Sequence, residues 1–306
     1  MKITNNFGLP SAFLDYANSD KYSKGQADIS VTSLIDSPRV RLMKEIYNDV
    51  ATQDVSDMVW ALFGTAVHKV LEEAKQDANR IVEERLYAEV DGWILSGAID
   101  HQLINGNDVS IIDYKTTSVW SVIFGKPEWE IQTNLYSYLV QKVKMFNVKS
   151  IQVCAIIRDW NRRDALTKDN YPQSQVVMID IPIWTFNEID EYAKKRIGIH
   201  QNAQQLFDLE NELPLCSDHD RWTKPTKYAV HKKNKEGKLS SKAMRVFDDR
   251  KKADEYVRTL NYRPLKLNED TIVVDERKGE HTRCKSYCNV SEFCDQYNPS
   301  LKLLEK

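Results

Sequence analysis

Apolar and polar residues alternate along the chain with two different periods, and each period predicts one type of element. Apolar residues at helical spacing predict four amphipathic helices, the first with Pro38 near its first turn, in residues 30–47, 57–76, 127–146 and 185–207. Shorter apolar runs predict strands in residues 84–117, 151–160 and 174–183. Turn signals at Asp91-Gly92 and at residues 105–108 divide the first of these segments into three strands. This order is typical of an α/β fold with a mixed central sheet flanked by helices.

Composition is that of an ordinary soluble globular protein. Of the 306 residues, 42% are hydrophobic and 29% are charged, which is enough apolar material for a buried core. No apolar run approaches the ~18 residues of a membrane-spanning helix, and the N-terminus lacks a secretory pattern, so a cytoplasmic location is expected. Four regions are predicted: an N-terminal helical region (1–56), a core (57–210), a basic insert (211–283) and a Cys-rich segment (284–306).

Positive charge is concentrated in one segment, although the net charge is only −2. Residues 221–252 contain twelve basic and three acidic residues, with aromatic residues between them. A β-hairpin of residues 227–233 and 242–248 is predicted here, followed by a helix over 249–260. Such a ββα insert either follows a nucleic-acid backbone or is a solvated decoration of the fold. The candidates for DNA contact are Lys232, Lys233, Lys235, Lys242 and Arg245.

Four of the five cysteines lie in the C-terminal part of the chain. They are Cys216, Cys284, Cys288 and Cys294. The fifth, Cys154, lies in an apolar run and is predicted to be a core residue. Clustered cysteines in an intracellular chain indicate a metal site, and four thiolates suit either Zn²⁺ or an iron–sulfur cluster. His219 or His281 could replace one thiolate in a zinc site; free cysteines in a packed tail are the alternative.

Two carboxylates and a lysine are predicted at the ends of the second and third strands. Asp100 ends one apolar run and Asp113 ends the next. Two carboxylates on adjacent strands repel each other unless a cation lies between them, and oxygen ligands suit Mg²⁺ or Mn²⁺. Lys115 faces the same side of its strand as Asp113, because the strand period is two. A metal site at which a lysine stabilises phosphate charge is therefore predicted; a hairpin with charged ends is the alternative.

Polar residues on two predicted helices extend this group. His68 follows Gly64 by four residues, and the glycine is expected to let the helix approach the sheet closely. Gln132 and Tyr136 share a helix face, where they can hydrogen-bond a nucleic-acid backbone or support the lysine. Taken alone, each is compatible with a helix surface that has no role. Together with the strand residues, His68 is interpreted as a metal ligand.

These elements, taken in order, resemble the RecB-like branch of the PD-(D/E)XK nuclease superfamily. They are Gly64-x3-His68, Gly97-x2-Asp100, Asp113-Tyr114-Lys115 and Gln132-x3-Tyr136. The resemblance covers roughly residues 30–200 and is strongest to phage-encoded exonucleases. It implies a restriction-endonuclease-like core, in which a mixed sheet is flanked by helices.

The resemblance also implies roles for these residues. A catalytic metal would be held by His68, Asp100, Asp113 and the backbone carbonyl of Tyr114, and a second ion would join at the Asp pair during the reaction. Lys115 would act on the attacking water, with Gln132 and Tyr136 completing the catalytic set. Glu84 is a further candidate, for which a solvated glutamate at a strand end is an equal alternative.

The C-terminal cysteines continue the resemblance and then depart from it. RecB-like nucleases of the AddB and CRISPR-associated types bind a [4Fe–4S] cluster with three C-terminal cysteines and one upstream of the core. Ser37 occupies the upstream position here, so Cys216 is the expected substitute. The C-terminal spacing, Cys-x3-Cys-x5-Cys, is one residue wider than the family pattern. Iron–sulfur and zinc therefore both stay open, as a structural staple and not as the catalytic centre.

The function that the resemblance implies is a Mg²⁺- or Mn²⁺-dependent exonuclease that hydrolyses linear DNA in recombination, repair or replication. A structure-specific endonuclease is the alternative among enzymes. A non-catalytic module that binds DNA ends or proteins is the alternative outside enzymes, and the intact His68, Asp100, Asp113 and Lys115 speak against it. The expected partners are linear or single-stranded DNA ends, and a recombinase or a single-strand-binding protein. A phage-encoded protein would act in the host cytoplasm.

Overall fold

The computed structural model describes residues 2–19, 24–73, 79–234, 236–261 and 271–301. The chain divides into two units, Met1–Pro214 (the first unit) and Leu215–Leu304 (the second unit). The elements of the first unit are β1 (Lys2–Thr4), α1 (Ser11–Ser19), β2 (Ile29–Ser30), α2 (Val31–Ile35), α3 (Pro38–Ile46), β3 (Thr52–Asp54), α4 (Val59–Glu72), β4 (Arg80–Val90), β5 (Trp93–Asn105), β6 (Asp108–Thr117), α5 (Val119–Phe124), α6 (Pro127–Lys144), β7 (Asn147–Ile157), α7 (Arg162–Thr167), β8 (Val176–Asp180) and α8 (Phe186–Glu210). Those of the second unit are β9 (Thr223–Lys224), β10 (Lys227–Lys233), β11 (Arg245–Phe247), α9 (Arg250–Asn261), β12 (Thr271–Arg277), β13 (Glu280–His281) and α10 (Thr282–Ser286). Of the helices described, none combines the length and the hydropathy needed to cross a bilayer.

A six-stranded mixed sheet forms the centre of the first unit. Its strands lie in the order β2-β5-β6-β7-β8, and β4 pairs with the other edge of β5. The β6–β7 and β2–β5 pairs are parallel, and the other pairs are antiparallel. Helices α5 and α6 connect β6 to its parallel neighbour β7, as a parallel pair requires. The predicted α/β fold with a mixed central sheet flanked by helices is therefore confirmed.

Both predicted turns of the strand meander form tight connections. Asp91 and Gly92 have φ of 46° and 79°, the positive values that a type I′ hairpin turn requires at both central positions. Gly106, in the next turn, has φ of 63°. The two turns connect β4 to β5 and β5 to β6, so the three predicted strands are confirmed.

Helices α6 and α8 supply most of the helical side of the core. Leu135 and Leu139 of α6 are fully buried, and Ile189 and Ile197 of α8 join the same apolar cluster. The cluster also contains Leu95, Ile99 and Ile111 from the sheet. Thr185 begins α8 with a capping box, in which its hydroxyl accepts from the Glu188 amide and the Glu188 carboxylate accepts from the Thr185 amide. The predicted helices over 127–146 and 185–207 thus form and bury one face.

The segment 30–47 forms two helices: the predicted one, which begins at Pro38, and a shorter one before it that was not predicted. The Ser30 hydroxyl caps α2 by accepting the Ser33 amide at 3.2 Å. Ser37 is extended, with φ of −64° and ψ of 132°, and Pro38 takes the first position of α3. The residue before a proline disfavours helical dihedrals, so the chain breaks at residues 36–37 and restarts at Pro38.

The second unit contains the predicted hairpin and one strand that was not predicted. β10 pairs with β11 from Tyr228–Phe247 to Val230–Arg245, and α9 follows, as expected. β12 pairs with the other edge of β10 over seven residues, so the insert is ββαβ where ββα was predicted. Only Ile272, Val273 and Val274 are apolar in β12, too short a run to distinguish a strand from a loop by periodicity. The four domain boundaries drawn from the sequence stay predictions.

A buried histidine on α8 is held as a neutral ring. His200 has no exposed surface; its Nε2–H donates to the Leu34 carbonyl at 3.1 Å and its Nδ1 accepts from Arg41 Nε at 3.2 Å. Burial lowers the pKa of His200 to about 4, and the guanidinium groups of Arg196 and Arg41 act in the same direction. Protonating Nδ1 would remove the acceptor of Arg41 and place a third positive charge in the group.

We expect the His200→Gln variant to tolerate acid better than the parent protein. The folded-state pKa of about 4 lies below the unfolded value of ~6.5, so the unfolded state binds the proton first and stability falls as the pH drops from ~6.5 to ~4. At about pH 5 this loss is roughly 2 kcal/mol. Urea unfolding of both proteins at about pH 7.5 and pH 5 measures it. Equal losses in the two proteins would contradict the assignment.

Candidate active site

A cavity of about 760 Å³ opens in the first unit beside the central sheet. Residues of α4, β4, β5, β6 and α6 line it. Five of the residues predicted for the site belong to this lining: His68, Asp100, Lys115, Gln132 and Tyr136. Asp113 and Tyr114, the other two predicted residues, contact members of this group. The structure thus brings together the seven predicted catalytic and metal-binding residues, which come from two strands (β5 and β6) and two helices (α4 and α6).

The two aspartates lie where β5 and β6 separate. The ladder between these strands runs from Asn105–Asp108 to His101–Ile112 and stops there. Beyond it, β5 pairs with β2 at Leu95–Ser96, while β6 continues beside β7 to Thr117. Asp100 and Asp113 were predicted to end their strands, which is wrong: both lie inside strands that continue. The pairing between β5 and β6 ends just before these two residues, so their side chains lie where the two strands separate. Each strand remains paired on its other edge, β5 with β4 and β6 with β7.

Each aspartate has a partner of its own at this fork. The Asp100 carboxylate accepts the backbone N–H of Tyr114 at 2.7 Å. The Asp113 carboxylate is 1% exposed and lies 2.8 Å from the Lys115 ammonium. Lys115 therefore faces the same side of β6 as Asp113, as the strand period predicts.

His68 on α4 reaches the same point. Its Nε2 lies 3.0 Å from the Tyr114 carbonyl oxygen, and its Nδ1 lies 3.4 Å from Glu83 Oε1 and 3.7 Å from Asp100 Oδ1. Ligand atoms of His68, Glu83 and Asp100 all lie within 4.8 Å of one another, and no other such group of three or more occurs in the described ranges. One cation could contact all three residues.

Glu83 is the member of this group that the sequence analysis missed. It has φ of 50°, a left-handed conformation that is uncommon for a residue other than glycine, and the β4–β5 ladder skips Glu83 and Asp100. The neighbouring Glu84, which was the candidate, instead accepts Lys144 Nζ at 2.5 Å and Gln102 Nε2 at 2.8 Å. A Glu-Glu pair in a strand sends its side chains to opposite faces, and only the fold shows which glutamate meets His68.

The carboxylates of this site shift the pKa values of their neighbours in the direction that favours a bound cation. Burial, together with the neighbouring Asp113 carboxylate, raises the pKa of Asp100 to about 7. The Glu83 carboxylate raises the pKa of His68, against the opposing effect of burial. Burial lowers the pKa of Lys115, but Asp113 and Asp100 outweigh it and leave the pKa above its usual value. The carboxylates thus favour cations at both His68 and Lys115.

Two glycines near the site have different roles from those expected. A Cβ added at Gly64 would meet no atom within 4 Å, so the expected close approach at Gly64 is wrong. α4 has no buried residue and leaves this space open. At Gly97 an added Cβ would lie 2.8 Å from Leu139 Cδ1 and 2.9 Å from the Tyr136 ring. The glycine that permits close packing is therefore Gly97, which lets α6 place Tyr136, bonded to Gln132 Nε2 at 2.7 Å, beside the sheet.

The four C-terminal cysteines lie in the second unit. The Gln296 side chain bonds both backbone groups of Cys216, at 2.8 Å and 2.9 Å. Burial raises the pKa of Cys288, and the nearby thiols of Cys284 and Cys294 act in the same direction. The four sulfur atoms do not form a group within 4.8 Å in the part of the chain that the structure describes. A metal at these cysteines stays a prediction.

The basic residues predicted to contact DNA do not share one face. Lys232 and Lys233 are neighbours in β10 and therefore point to opposite faces of its sheet. Arg245 pairs with Val230 and lies on the face of Lys232, with its guanidinium over the rings of Phe247 and Tyr256. Lys242 is exposed before β11, and Lys235 lies outside the described residues. The predicted DNA contacts of this insert stay untested.

Comparison with known proteins places the chain in a family. A search of curated protein sequences finds no match. Among solved structures, the chain is similar to SSO0001, with 20% identity and a TM-score of 0.42 over 62% of this chain and 83% of that chain. It is also similar to a protein from Eubacterium rectale described as a "Putative exonuclease", with 13% identity and a TM-score of 0.28 over 63% of this chain and 72% of that chain. Residues 73–295, well over half of the chain, match the PD-(D/E)XK nuclease superfamily, and the chain therefore belongs to that superfamily.

Proposed function

We propose that this protein is a Mg²⁺- or Mn²⁺-dependent DNA exonuclease of the RecB-like, phage-encoded type. Members of the PD-(D/E)XK superfamily are typically metal-dependent nucleases. The observation that carries the proposal is the convergence of His68, Glu83 and Asp100 within 4.8 Å, beside the ion pair of Asp113 and Lys115. The order of the sequence elements supports the RecB-like branch, and with it exonuclease activity on DNA.

The donor set fits a hard divalent cation. Carboxylate oxygens of Asp100 and Glu83, the Tyr114 carbonyl oxygen and the His68 imidazole are available, with the Asp113 carboxylate beside them. Oxygen donors with one imidazole suit Mn²⁺ and Mg²⁺. Burial and the Asp113 carboxylate raise the pKa of Asp100 to about 7, and a cation bound against Asp100 would favour its ionised form. When bound, the ion supplies positive charge that polarises a phosphoryl oxygen and acidifies water.

Lys115 and Asp113 form the part of the site that acts on phosphate and water. Because Asp113 and Asp100 keep the pKa of Lys115 raised, the ammonium stays protonated and donates hydrogen bonds. It orients the attacking water and stabilises negative charge on the phosphate oxygens. The water oxygen bonds to phosphorus, the bond to the leaving oxygen breaks, and that oxygen takes a proton. Gln132 and Tyr136, bonded to each other on the cavity wall, position the substrate beside Lys115.

Labelled linear and closed circular DNA, incubated with Mn²⁺, test the activity and its assignment. The parent protein should degrade linear DNA from its ends and leave circles intact. Asp113→Ala and Lys115→Ala should each slow the degradation by about 100-fold or more. Cleavage of closed circles would indicate an endonuclease, and degradation of linear DNA by both variants at the rate of the parent protein would overturn the site assignment.

The glutamate pair of β4 offers a matched test of the metal-binding group. We expect Glu83→Gln to weaken binding of Mn²⁺ by about 10- to 100-fold, the range found for groups that support a metal site. Glu84→Gln should leave that affinity unchanged, because Glu84 contacts Lys144 and Gln102 and not His68. Calorimetric titration with Mn²⁺ measures both constants. Equal affinities of the two variants for Mn²⁺ would show that Glu83 is not a ligand of the metal.

The second unit is proposed to hold a structural metal and to contact DNA. Cys216, Cys284, Cys288 and Cys294 would bind a [4Fe–4S] cluster or Zn²⁺, and the basic strands would add affinity for the DNA backbone. A visible absorption spectrum separates the two metals, since the cluster is brown and zinc is colourless. Cys154→Ser, which changes the one cysteine outside this set, is the control for Cys288→Ser.

Processing of DNA ends in recombination, repair or replication would place the protein in the host cytoplasm with a recombinase or single-strand-binding protein.

A further inference from the structure

Large aromatic side chains are exposed on α4, which lines the cavity, and on α5, which follows the strand that carries Lys115. Trp60 of α4 is 58% exposed, and Trp120 and Phe124 of α5 are 58% and 79% exposed. None of the 14 residues of α4 is buried, although the helix is largely apolar. Apolar rings left in water at this density mark an interaction surface.

The exposed rings are organised into two pairs with defined geometry. The Arg158 guanidinium lies over Trp60, 4.3 Å from the ring centroid. Trp120 and Phe124 stack on each other, with centroids 5.8 Å apart and an angle of 12° between the rings. Both pairs therefore present a flat, preformed aromatic face, which costs little conformational freedom when a partner binds.

Both pairs lie at the carboxyl end of β6, close to Lys115. The backbone N–H of Arg158 donates to the carbonyl of Thr117, the last residue of β6, at 2.9 Å. α5 begins at Val119, immediately after the same strand end. Thr117 is two residues beyond Lys115, so both aromatic pairs are attached to the strand end next to the residue proposed to act on phosphate.

The open cavity extends along α4 from the metal-binding group to Gly64, one helical turn from Trp60. Trp60, Gly64 and His68 are spaced by four residues and lie on one stripe of the helix. Gly64 lines the cavity, and no atom lies within 4 Å of the position its Cβ would occupy. Lys69 and Arg85 also line the cavity and add positive charge. Glu72 and Glu83 line it as well, so the wall carries both signs, and Lys69, Arg85 and Lys115 are its cations.

We propose that the Trp60–Arg158 and Trp120–Phe124 pairs stack on unpaired bases of a single DNA strand whose phosphate enters the cavity. Exposed rings beside cationic groups suit single-stranded nucleic acid, since each base offers an aromatic face and each phosphate a negative charge. Bases inside a duplex are already stacked and paired, and cannot lie on these rings. The inference rests on the proposed nuclease function for the cleavage step and adds the residues that hold the bases of a single strand or of a frayed end.

Fluorescence anisotropy with a labelled thymidine oligonucleotide of about 16 nucleotides tests the stacking. The measurement uses the full chain with Ca²⁺ in place of Mg²⁺, so that binding is read apart from cleavage. Trp60→Ala and Trp120→Ala should each raise the Kd by about 5- to 150-fold, the range for loss of one stacked base. Trp60→Phe should restore most of the affinity. Phe186→Ala is the matched control: Phe186 is 39% exposed and packs on Tyr138 with centroids 5.3 Å apart, and it belongs to α8, not to the two helices that carry the proposed pairs.

Two further probes separate base stacking from other uses of the same surface. An abasic oligonucleotide of equal length keeps the phosphates and loses the bases, and a blunt duplex keeps the bases paired. Their affinities should be the same in the parent protein and in both tryptophan variants. Equal losses on these probes, an unchanged Kd for the thymidine oligonucleotide, or a change in oligomeric state alone would overturn the proposal. If the parent protein cleaves no DNA with Mg²⁺ or Mn²⁺, the proposed function fails, while the anisotropy result still decides the stacking.

Discussion

Replacing Lys115 with methionine is expected to lower the rate of phosphodiester hydrolysis by about 10²- to 10³-fold, the loss typical when one donor that stabilises transition-state charge is removed. The Lys115 ammonium lies 2.8 Å from the buried Asp113 carboxylate and lines the cavity, so it is the cation placed to meet phosphate. Methionine keeps the length of the side chain and removes the charge. Most of the loss should appear in kcat on linear DNA, because the lysine acts on charge that develops during the reaction.

The control for this variant is Lys144→Met. Lys144 also pairs with a carboxylate, Glu84, at 2.5 Å, and its side chain is similarly covered, at 17% exposed against 24% for Lys115. Both variants lose an ion pair, and Lys115→Met should lose more stability, because its partner Asp113 is 1% exposed whereas Glu84 is 29% exposed. Only Lys115→Met should lose activity. A comparable loss of kcat in Lys144→Met would show that the effect comes from stability and not from chemistry.

The Asp100→Asn variant is expected to lose activity and gain stability in the metal-free protein. Removing a ligand should lower the rate by about 10³-fold or more, as loss of a central catalytic group does. The pKa of Asp100, which burial and Asp113 raise to about 7, lies above its unfolded value of ~3.9, so its ionisation costs stability as the pH rises through ~4 to ~7. Asparagine removes that charge and can still accept the Tyr114 amide.

Thermal unfolding with and without Mn²⁺ measures both parts of this prediction. The parent protein should gain Tm with Mn²⁺, since an ion that binds only the folded state stabilises it, and Asp100→Asn should not. Without metal, the Tm of Asp100→Asn should equal or exceed that of the parent protein. Asp28→Asn is the control, because the Asp28 carboxylate also accepts one backbone N–H, from Ile94 at 2.7 Å, and does not line the cavity. A lower metal-free Tm for Asp100→Asn than for Asp28→Asn would contradict the proposed repulsion.

Local patterns predict the elements of this fold well, because the forces that form them are local. The turn at Asp91-Gly92 requires positive φ at two consecutive residues, and that requirement is visible in the sequence. The period of apolar residues in α6 and α8 reports which face meets the sheet. His68, Asp100 and Lys115 lie at fixed places on predicted helices and strands, so the order of the superfamily elements predicts that they line one cavity.

The features that the sequence did not predict depend on contacts between distant residues. Glu83, and not Glu84, reaches His68 of α4 because its backbone is left-handed. The open space at Gly64 exists because α4 buries none of its residues. The point at which β5 exchanges β6 for β2 involves three strands, and a two-residue strand such as β2 has no periodicity to detect. Such features are set by tertiary packing, which cannot be read from a short stretch of sequence.

The interrupted ladder between β5 and β6 has a consequence for the choice of metal. Where two antiparallel strands are paired, hydrogen bonds fix opposite Cα atoms about 4.5–5.5 Å apart. At Asp100 and Asp113 that constraint is absent, because the Tyr114 N–H bonds to a carboxylate and not to a strand backbone. The width of the gap can therefore adjust to the ion without breaking the sheet. A protein built in this way tolerates cations of different radius, and exchange of Mg²⁺ for the larger Mn²⁺ should change its rate more than its fold.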